Sequence, residues 1–224
     1  MAVFQLDDNL WFPDPRLGEP DGLVAVGGDL SVDRLLLAYS YGFFPWFSYR
    51  WRKEPHWYCP LQRFVIFPNE IHISHSMRQL MHQQRYRLTI NEDFMGVIRG
   101  CATAKMRHLE DGAWLGPDII HAYTALYVQD FAASVEVWEG ERLVGGLYGV
   151  CLGNSFFGES MFSLVPNASK LALIHLAQVY AQHGGRLIDC QFETPHLRSM
   201  GGRFIPYDDY LRIIHSEDDS GQPR

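Results

Sequence analysis

The sequence predicts an α+β fold built on a mixed, largely antiparallel sheet, and two observations predict it. Residues 134–191 read strand, turn, strand, turn, strand, helix, strand: a β-β-β-α-β run with one well-marked helix before its last strand. Ahead of it, a loop-rich opening dense in proline, glycine and aromatic residues changes character near Pro60 and Arg63. That change separates a small N-terminal α/β domain, residues 1–61, from a larger domain, residues 62–224.

Taken in order, the opening carries the turn sequences Phe12-Pro13-Asp14-Pro15 and Glu19-Pro20-Asp21-Gly22. Residues 23–26 form a short apolar strand, and Gly27-Gly28 follows. A double glycine between strand and helix can cradle a phosphate on backbone amides. With no G-x-G-x-x-G and no Walker lysine, a tight turn is the better reading. Ser31 or Asp33 opens a helix through Leu35, Leu36, Leu37 and Tyr39, stopped at Gly42. The run Phe43-Phe44-Pro45-Trp46-Phe47, with Trp51, Trp57 and Tyr58 close behind, is either a satellite core or an aromatic platform for stacking a base. Residues 63–67 read as a strand and 71–84 as a helix with His72, His75, Arg78 and His82. The spacing of His72 and His75 lacks a carboxylate partner, so a solvated face is expected there rather than a metal site.

Further on, 87–91 reads as a strand and 94–101 as a short helix. Residues 104–116 look polar and loop-like, and 118–127 form another helix presenting Tyr123. In the central run, 134–138 alternates apolar and polar residues, 143–152 is the second strand, and Gly153-Asn154 is a hairpin turn. Residues 155–162 pair back. Asn167 or Ser169 caps the helix over 167–183, and Gly184-Gly185 ends it. The tail from residue 216 is polar and expected to fray.

Composition narrows the class. The 224 residues are 47% hydrophobic and 20% charged, those of a soluble globular protein, and no run approaches the roughly 18 apolar residues of a membrane span. The N-terminus has no basic cluster before an apolar run, so it does not read as a signal peptide. Cys59, Cys101, Cys151 and Cys190 are scattered without metal-type spacing, which fits reduced thiols in a cytoplasmic protein. A net charge of −7 argues weakly against a nucleic-acid partner.

The polar residues inside apolar strands carry the functional signal. Alternation places Asp189 and Gln191 on one face of a strand otherwise made of Leu187, Ile188 and Cys190. Glu159 sits between Phe157 and Met161 in an equally apolar strand. Unpaired buried carboxylates cost several kcal/mol, on the order of that lost by any desolvated charge. These groups therefore form either a satisfied hydrogen-bond network or a site. No Ser–His–Asp arrangement accompanies them, because Ser160 lacks the G-x-S-x-G context.

The chain closely resembles the bacterial leucyl/phenylalanyl-tRNA–protein transferase family. The resemblance rests on Gly22-Leu23-Val24-Ala25-Val26-Gly27-Gly28-Asp29-Leu30, Gly42-Phe43-Phe44-Pro45-Trp46-Phe47, Ser134-Val135-Glu136-Val137-Trp138 and Phe157-Gly158-Glu159-Ser160-Met161-Phe162-Ser163. Asn167-Ala168-Ser169-Lys170, Leu187-Ile188-Asp189-Cys190-Gln191 and Thr194-Pro195-His196-Leu197 continue it, in order, over nearly the whole chain.

The resemblance implies a small N-terminal domain followed by a domain similar to the GNAT acetyltransferases. It implies transfer of leucine or phenylalanine (methionine less well) from aminoacyl-tRNA to the N-terminal Lys or Arg of an acceptor protein, marking the product for degradation. No cofactor, metal or membrane is implied, and the chain is expected to be a monomer. By the same resemblance Asp189 and Gln191 are the catalytic pair, with the glutamine side chain polarised by Asp189, and Glu159 lies near the reacting amine. Phe156, Met161, Leu173, Leu176 and Tyr180 would line the aminoacyl pocket. Tyr39, Trp46, Trp114 and Tyr123 would meet the aminoacyl-adenosine end, and Arg78 and Arg85 the tRNA backbone. Relatives often carry more basic residues where this chain has Gln79, Gln83 and Gln84, and phenylalanines near Leu176 and Tyr180.

Overall fold

The computed structural model describes residues 2–46, 54–106 and 116–216. Two sheets organise them. The smaller holds β1 (Phe4–Leu6), β2 (Leu23–Gly27), β3 (Phe44–Trp46) and β4 (His56–Tyr58) in the order β1-β2-β4-β3, with β1 and β2 parallel. Between β2 and β3 runs α1 (Val32–Ser40), capped by the Ser31 hydroxyl, which accepts from the Arg34 amide at 3.3 Å. The Gly27-Gly28 turn has φ of 84° and 71°. It is closed by protein groups: Trp57 Nε1 donates to the Gly27 carbonyl at 2.9 Å, and the buried Arg34 lies beneath Gly28. The tight turn holds.

The larger sheet is seven-stranded and mixed. It comprises β5 (Gln62–Ile66), β6 (Arg87–Ile90), β7 (Ala132–Glu139), β8 (Arg142–Leu152), β9 (Ser155–Ser163), β10 (Leu187–Gln191) and β11 (Arg203–Pro206), in the order β11-β5-β10-β9-β8-β7-β6. Within this sheet only β9 and β10 pair in parallel, joined by the crossover helix α5 (Ala168–Gln182) that a parallel pair requires. The remaining helices follow the chain: α2 (His75–His82) and α3 (Phe94–Met106) lie on either side of β6, α4 (Pro117–Val128) precedes β7, and α6 (Pro195–Ser199) and α7 (Tyr207–Ile214) flank β11. The α+β class and its β-β-β-α-β run are as the sequence predicted.

Differences are local. Helix α3 continues through Ala104 to Met106, where a loop was expected. The Asn167 side chain makes no cap; its backbone is left-handed at φ 69°, and the Ser169 amide is instead taken by Ser163 Oγ at 2.8 Å. Phe47, Trp51, Trp114 and the tail beyond Ser216 lie outside the described residues.

Helix α5 covers one face of the large sheet, burying Leu171, Leu173, Ile174 and Leu176 against Val135, Val137, Leu147 and Phe156. The other face shares one core with α1, α3, α4 and the small sheet: Phe157, Tyr148 and Phe162 meet Tyr39, Ile98, Tyr123, Leu35 and Trp57. The two sheets are thus fastened by a common apolar layer, and the region between them is where strands β9 and β10 open.

Candidate active site

Two irregularities in adjacent strands build the site. Pairing of β9 with β8 steps from Gly149↔Gly158 to Tyr148↔Ser160, leaving Glu159 as an extra residue. Pairing of β10 with β5 steps from Asp189↔Val65 to Gln191↔Phe64, leaving Cys190 extra. Bulges bend a strand and re-aim its side chains. Gly149 permits the first one: a Cβ there would stand 2.1 Å from the Phe157 carbonyl oxygen and 2.6 Å from the Phe156 ring. Pairing of β9 with β10 accordingly stops at Asp189↔Phe157, and beyond that point the strands part.

A cavity of about 520 Å3 lies in the gap. That is within the range of about 300–1,000 Å3 typical of small-molecule sites. It is lined by the apolar Leu147, Phe156, Met161, Leu173, Leu176 and Ile188 and by the polar Glu159, Ser160, Asp189, Gln191 and His196. The Trp46 indole, 44% exposed, is at the mouth, 5.2 Å from the Phe192 ring and 5.7 Å from Tyr58. Two polar wall atoms, Ser160 Oγ and His196 Nε2, are buried without a hydrogen-bond partner among the described residues.

Glu159 is buried and surrounded by neutral donors. Its Oε1 accepts from the Tyr39 hydroxyl at 2.7 Å and from Gln191 Nε2 at 2.9 Å; its Oε2 accepts from the Tyr123 hydroxyl at 2.7 Å. The two tyrosine hydroxyls are themselves 2.5 Å apart. Burial pushes the Glu159 carboxyl up to about 7, against the opposing effect of Tyr39 and Tyr123 and with added repulsion from Asp189. Burial, and then the Glu159 charge, hold both tyrosines well above the ordinary phenol range, so they remain donors.

Asp189 is partnered differently. Arg63 Nε reaches Oδ1 at 2.9 Å and Oδ2 at 3.0 Å, and Nη2 reaches Oδ2 at 2.7 Å. The Tyr210 hydroxyl donates to Oδ2 at 2.8 Å, and the Gln191 backbone N–H to Oδ1 at 2.8 Å. Strand alternation therefore does not bring Asp189 and Gln191 together as expected. The bulge does, with Gln191 in the left-handed region at φ 63°, and Asp189 holds the glutamine backbone while the glutamine side chain turns to Glu159.

The other predicted residues divide. Phe156, Met161, Leu173, Leu176 and Trp46 line the cavity. Tyr180 is not in its wall; it packs edge-on against Phe156 at 5.7 Å. Tyr39 and Tyr123 are fully buried and present hydroxyls, not open ring faces. Arg78 is exposed on α2, and Arg85 pairs with Glu139 at the β6–β7 edge, three strands from β9. Sequence reasoning missed Arg63, Tyr210 and Phe192. Arg63 did leave a signal, as a single cation ahead of Phe64-Val65-Ile66 in an apolar strand.

Comparison with known proteins places the chain in a family. Residues 65–215 match the family model of leucyl/phenylalanyl-tRNA protein transferase, and residues 28–61 match that of its N-terminal domain. The leucyl/phenylalanyl-tRNA–protein transferase of Anaeromyxobacter sp. (strain Fw109-5) is 47% identical over 94% of this chain and 88% of its own length. That of Pectobacterium carotovorum subsp. carotovorum (strain PC1) is 47% identical over 96% and 90%. Among solved structures, L-PGS from Bacillus licheniformis is 12% identical with a TM-score of 0.43, covering 77% of this chain, which spans 54% of that one. The chain belongs to the leucyl/phenylalanyl-tRNA protein transferase family.

Proposed function

We propose that this chain transfers leucine or phenylalanine, and methionine less well, from aminoacyl-tRNA to the N-terminal Lys or Arg of acceptor proteins. The observation that carries this reading is the joining of an apolar cavity to a buried carboxylate–amide couple, Glu159 and Gln191, in a member of this family. The apolar lining residues, Leu147, Phe156, Met161, Leu173, Leu176 and Ile188, suit a hydrophobic side chain. Trp46, backed by Phe192 and Tyr58, offers a stacking face for the terminal adenine.

The reaction is aminolysis of an ester. The acceptor α-amine attacks the ester carbonyl, the bond to the ribose oxygen breaks, and the amine must shed a proton. A carboxylate has about four acceptor sites. Asp189 already accepts from Arg63, Tyr210 and the Gln191 backbone. Among the described residues Glu159 Oε2 accepts only from Tyr123, so it retains capacity for an incoming ammonium or its proton. A carboxyl raised to about 7 is matched to that task near neutral pH. Gln191 donates through Nε2 to Glu159, which leaves its amide oxygen to orient the amine. Tyr39 and Tyr123 are assigned here to holding Glu159, because buried rings offer no face for a base. The exposed Arg78 is assigned to tRNA phosphates; Arg85, already paired, adds less.

The test is a transfer assay with radiolabelled Leu-tRNA, a peptide beginning with Arg, a matched peptide beginning with Met, and an RNase-treated control. Label on the Arg peptide alone, abolished by RNase, is the expected outcome. No label with Leu-, Phe- or Met-tRNA despite intact tRNA binding would refute it.

A further inference from the structure

Arg63 is the least explained residue near the site. It is 1% exposed on β5, outside the cavity wall, and its guanidinium lies 4.8 Å from the Phe44 ring centroid and 4.9 Å from that of Tyr210. Such a side chain is costly to bury unless its charge is matched. Asp189 matches it with three contacts between 2.7 and 3.0 Å, and Nη1 alone finds no partner among the described residues. Three separate parts of the fold meet on this one cation: Phe44 from the small sheet, Asp189 from β10 and Tyr210 from α7.

What Arg63 holds is also what aims the glutamine. Asp189 Oδ1 takes both Arg63 Nε and the Gln191 backbone N–H. Gln191 sits at φ 63°, a conformation that costs a non-glycine residue on the order of 1–3 kcal/mol unless its surroundings enforce it. From that conformation its side chain reaches Glu159 at 2.9 Å.

We propose that Arg63 is a positioning residue for the transfer reaction: it clamps Asp189, Asp189 fixes the left-handed backbone of Gln191, and that backbone aims the Gln191 amide at Glu159. Phe44 and Tyr210, stacked on the guanidinium, make the clamp depend on the docked small sheet and on α7. The inference rests on the functional reading above and deepens it. It assigns Asp189 a backbone-holding role rather than contact with the Gln191 side chain.

The experiment compares wild type with Arg63→Lys, Arg63→Met, Asp189→Asn, the Arg63→Met/Asp189→Asn pair and Tyr210→Phe in the transfer assay, with thermal melts to register folding. Arg63→Lys keeps the charge but loses the fork, and is expected to lower kcat about 10- to 100-fold, the scale of a misplaced catalytic group. The KM for aminoacyl-tRNA should stay within about twofold, since Arg63 is outside the cavity. Tyr210→Phe should move kcat in the same direction by less. The double variant should be no worse than its worse parent, because the two residues act as one unit.

The pH profile gives a second readout. Tyr39, Tyr123, Tyr148, Gln191 and Asp189 face Glu159 from α1, α4, β8 and β10, and Arg63 reaches it only through Asp189. Removing the negative charge in Asp189→Asn should move the acid limb of kcat to lower pH. Wild-type kcat in Arg63→Lys, additive losses in the double variant, or a KM rising in step with falling kcat would each overturn the inference. If Arg63→Met does not fold, Arg63→Lys and Tyr210→Phe carry the test. An inactive wild type would overturn the functional reading itself, and the inference with it.

Discussion

Two buried carboxylates stand on neighbouring strands at neighbouring bulges, and they are treated in opposite ways. Asp189 on β10 faces a guanidinium, a phenol and a backbone amide; Glu159 on β9 faces two phenols and a side-chain amide but, among the described residues, no cation. Both are shut away, at 0% and 6% exposure. The difference is the partner's charge. A charged partner makes Asp189 part of the framework. Neutral donors leave Glu159 incompletely compensated, and burial then raises its carboxyl to about 7. Strand β10 supplies the architecture and strand β9 the titrating group.

The largest effect should come from breaking the paired side. Asp189→Ala leaves Arg63 buried with no anion, and stability should fall by about 3–5 kcal/mol. Equilibrium denaturation would register it, together with loss of transfer.

Breaking the unpaired side should do the reverse to stability. Glu159→Gln removes the group assigned to take the proton, and transfer should drop on the order of 10²–10⁴-fold. The folded protein favours protonated Glu159, since its carboxyl is raised from 4.5 to about 7. Its contribution is therefore fully present below about pH 4.5 and is lost as pH rises through about 7. The loss above pH 7 amounts to at most about 3 kcal/mol. Glu159→Gln should then raise the melting temperature at pH 8 and change it little at pH 5. Equal shifts at both pH values would count against a titrating Glu159.

The same asymmetry predicts the rate profile. If ionised Glu159 is required, wild-type kcat should fall about tenfold per pH unit below pH 7 and level off above it. Tyr39→Phe or Tyr123→Phe removes a donor that lowers the Glu159 carboxyl, so the acid limb should move to higher pH in either variant. Each should also cost about 1.5–3 kcal/mol of stability as a lost hydrogen bond to a charged group.

The smallest effect tests the mouth, away from both carboxylates. Trp46→Ala should raise the KM for aminoacyl-tRNA by an amount equivalent to about 1–3 kcal/mol of base stacking, with kcat nearly unchanged. A change in kcat alone would move Trp46 into the chemistry.

Much of this was legible in the chain. The β-β-β-α-β run followed from alternation, the Gly153-Asn154 turn and the periodicity of α5, all local properties. Glu159, Asp189 and Gln191 stood out because polar residues in apolar strands must find partners. Phe156, Met161, Leu173 and Leu176 were expected in the pocket from the family resemblance, and they line the cavity.

Who partners whom was decided only by the tertiary structure. Arg63 and Asp189 are 126 residues apart, and Tyr39 and Glu159 are 120 apart, so no local pattern couples them. Alternation put Asp189 and Gln191 on one face, but it cannot anticipate a bulge, because one inserted residue reverses the pattern through long-range strand pairing. Tyr39 and Tyr123 were expected at the aminoacyl-adenosine end by family resemblance alone, whereas packing buries their rings and leaves two hydroxyls against one carboxylate. The sequence by itself determined which elements form and which residues are costly to bury. The assembled fold decided which of those costs are cancelled by a charge and which are left as chemistry, since that depends on groups brought within about 3 Å from distant parts of the chain.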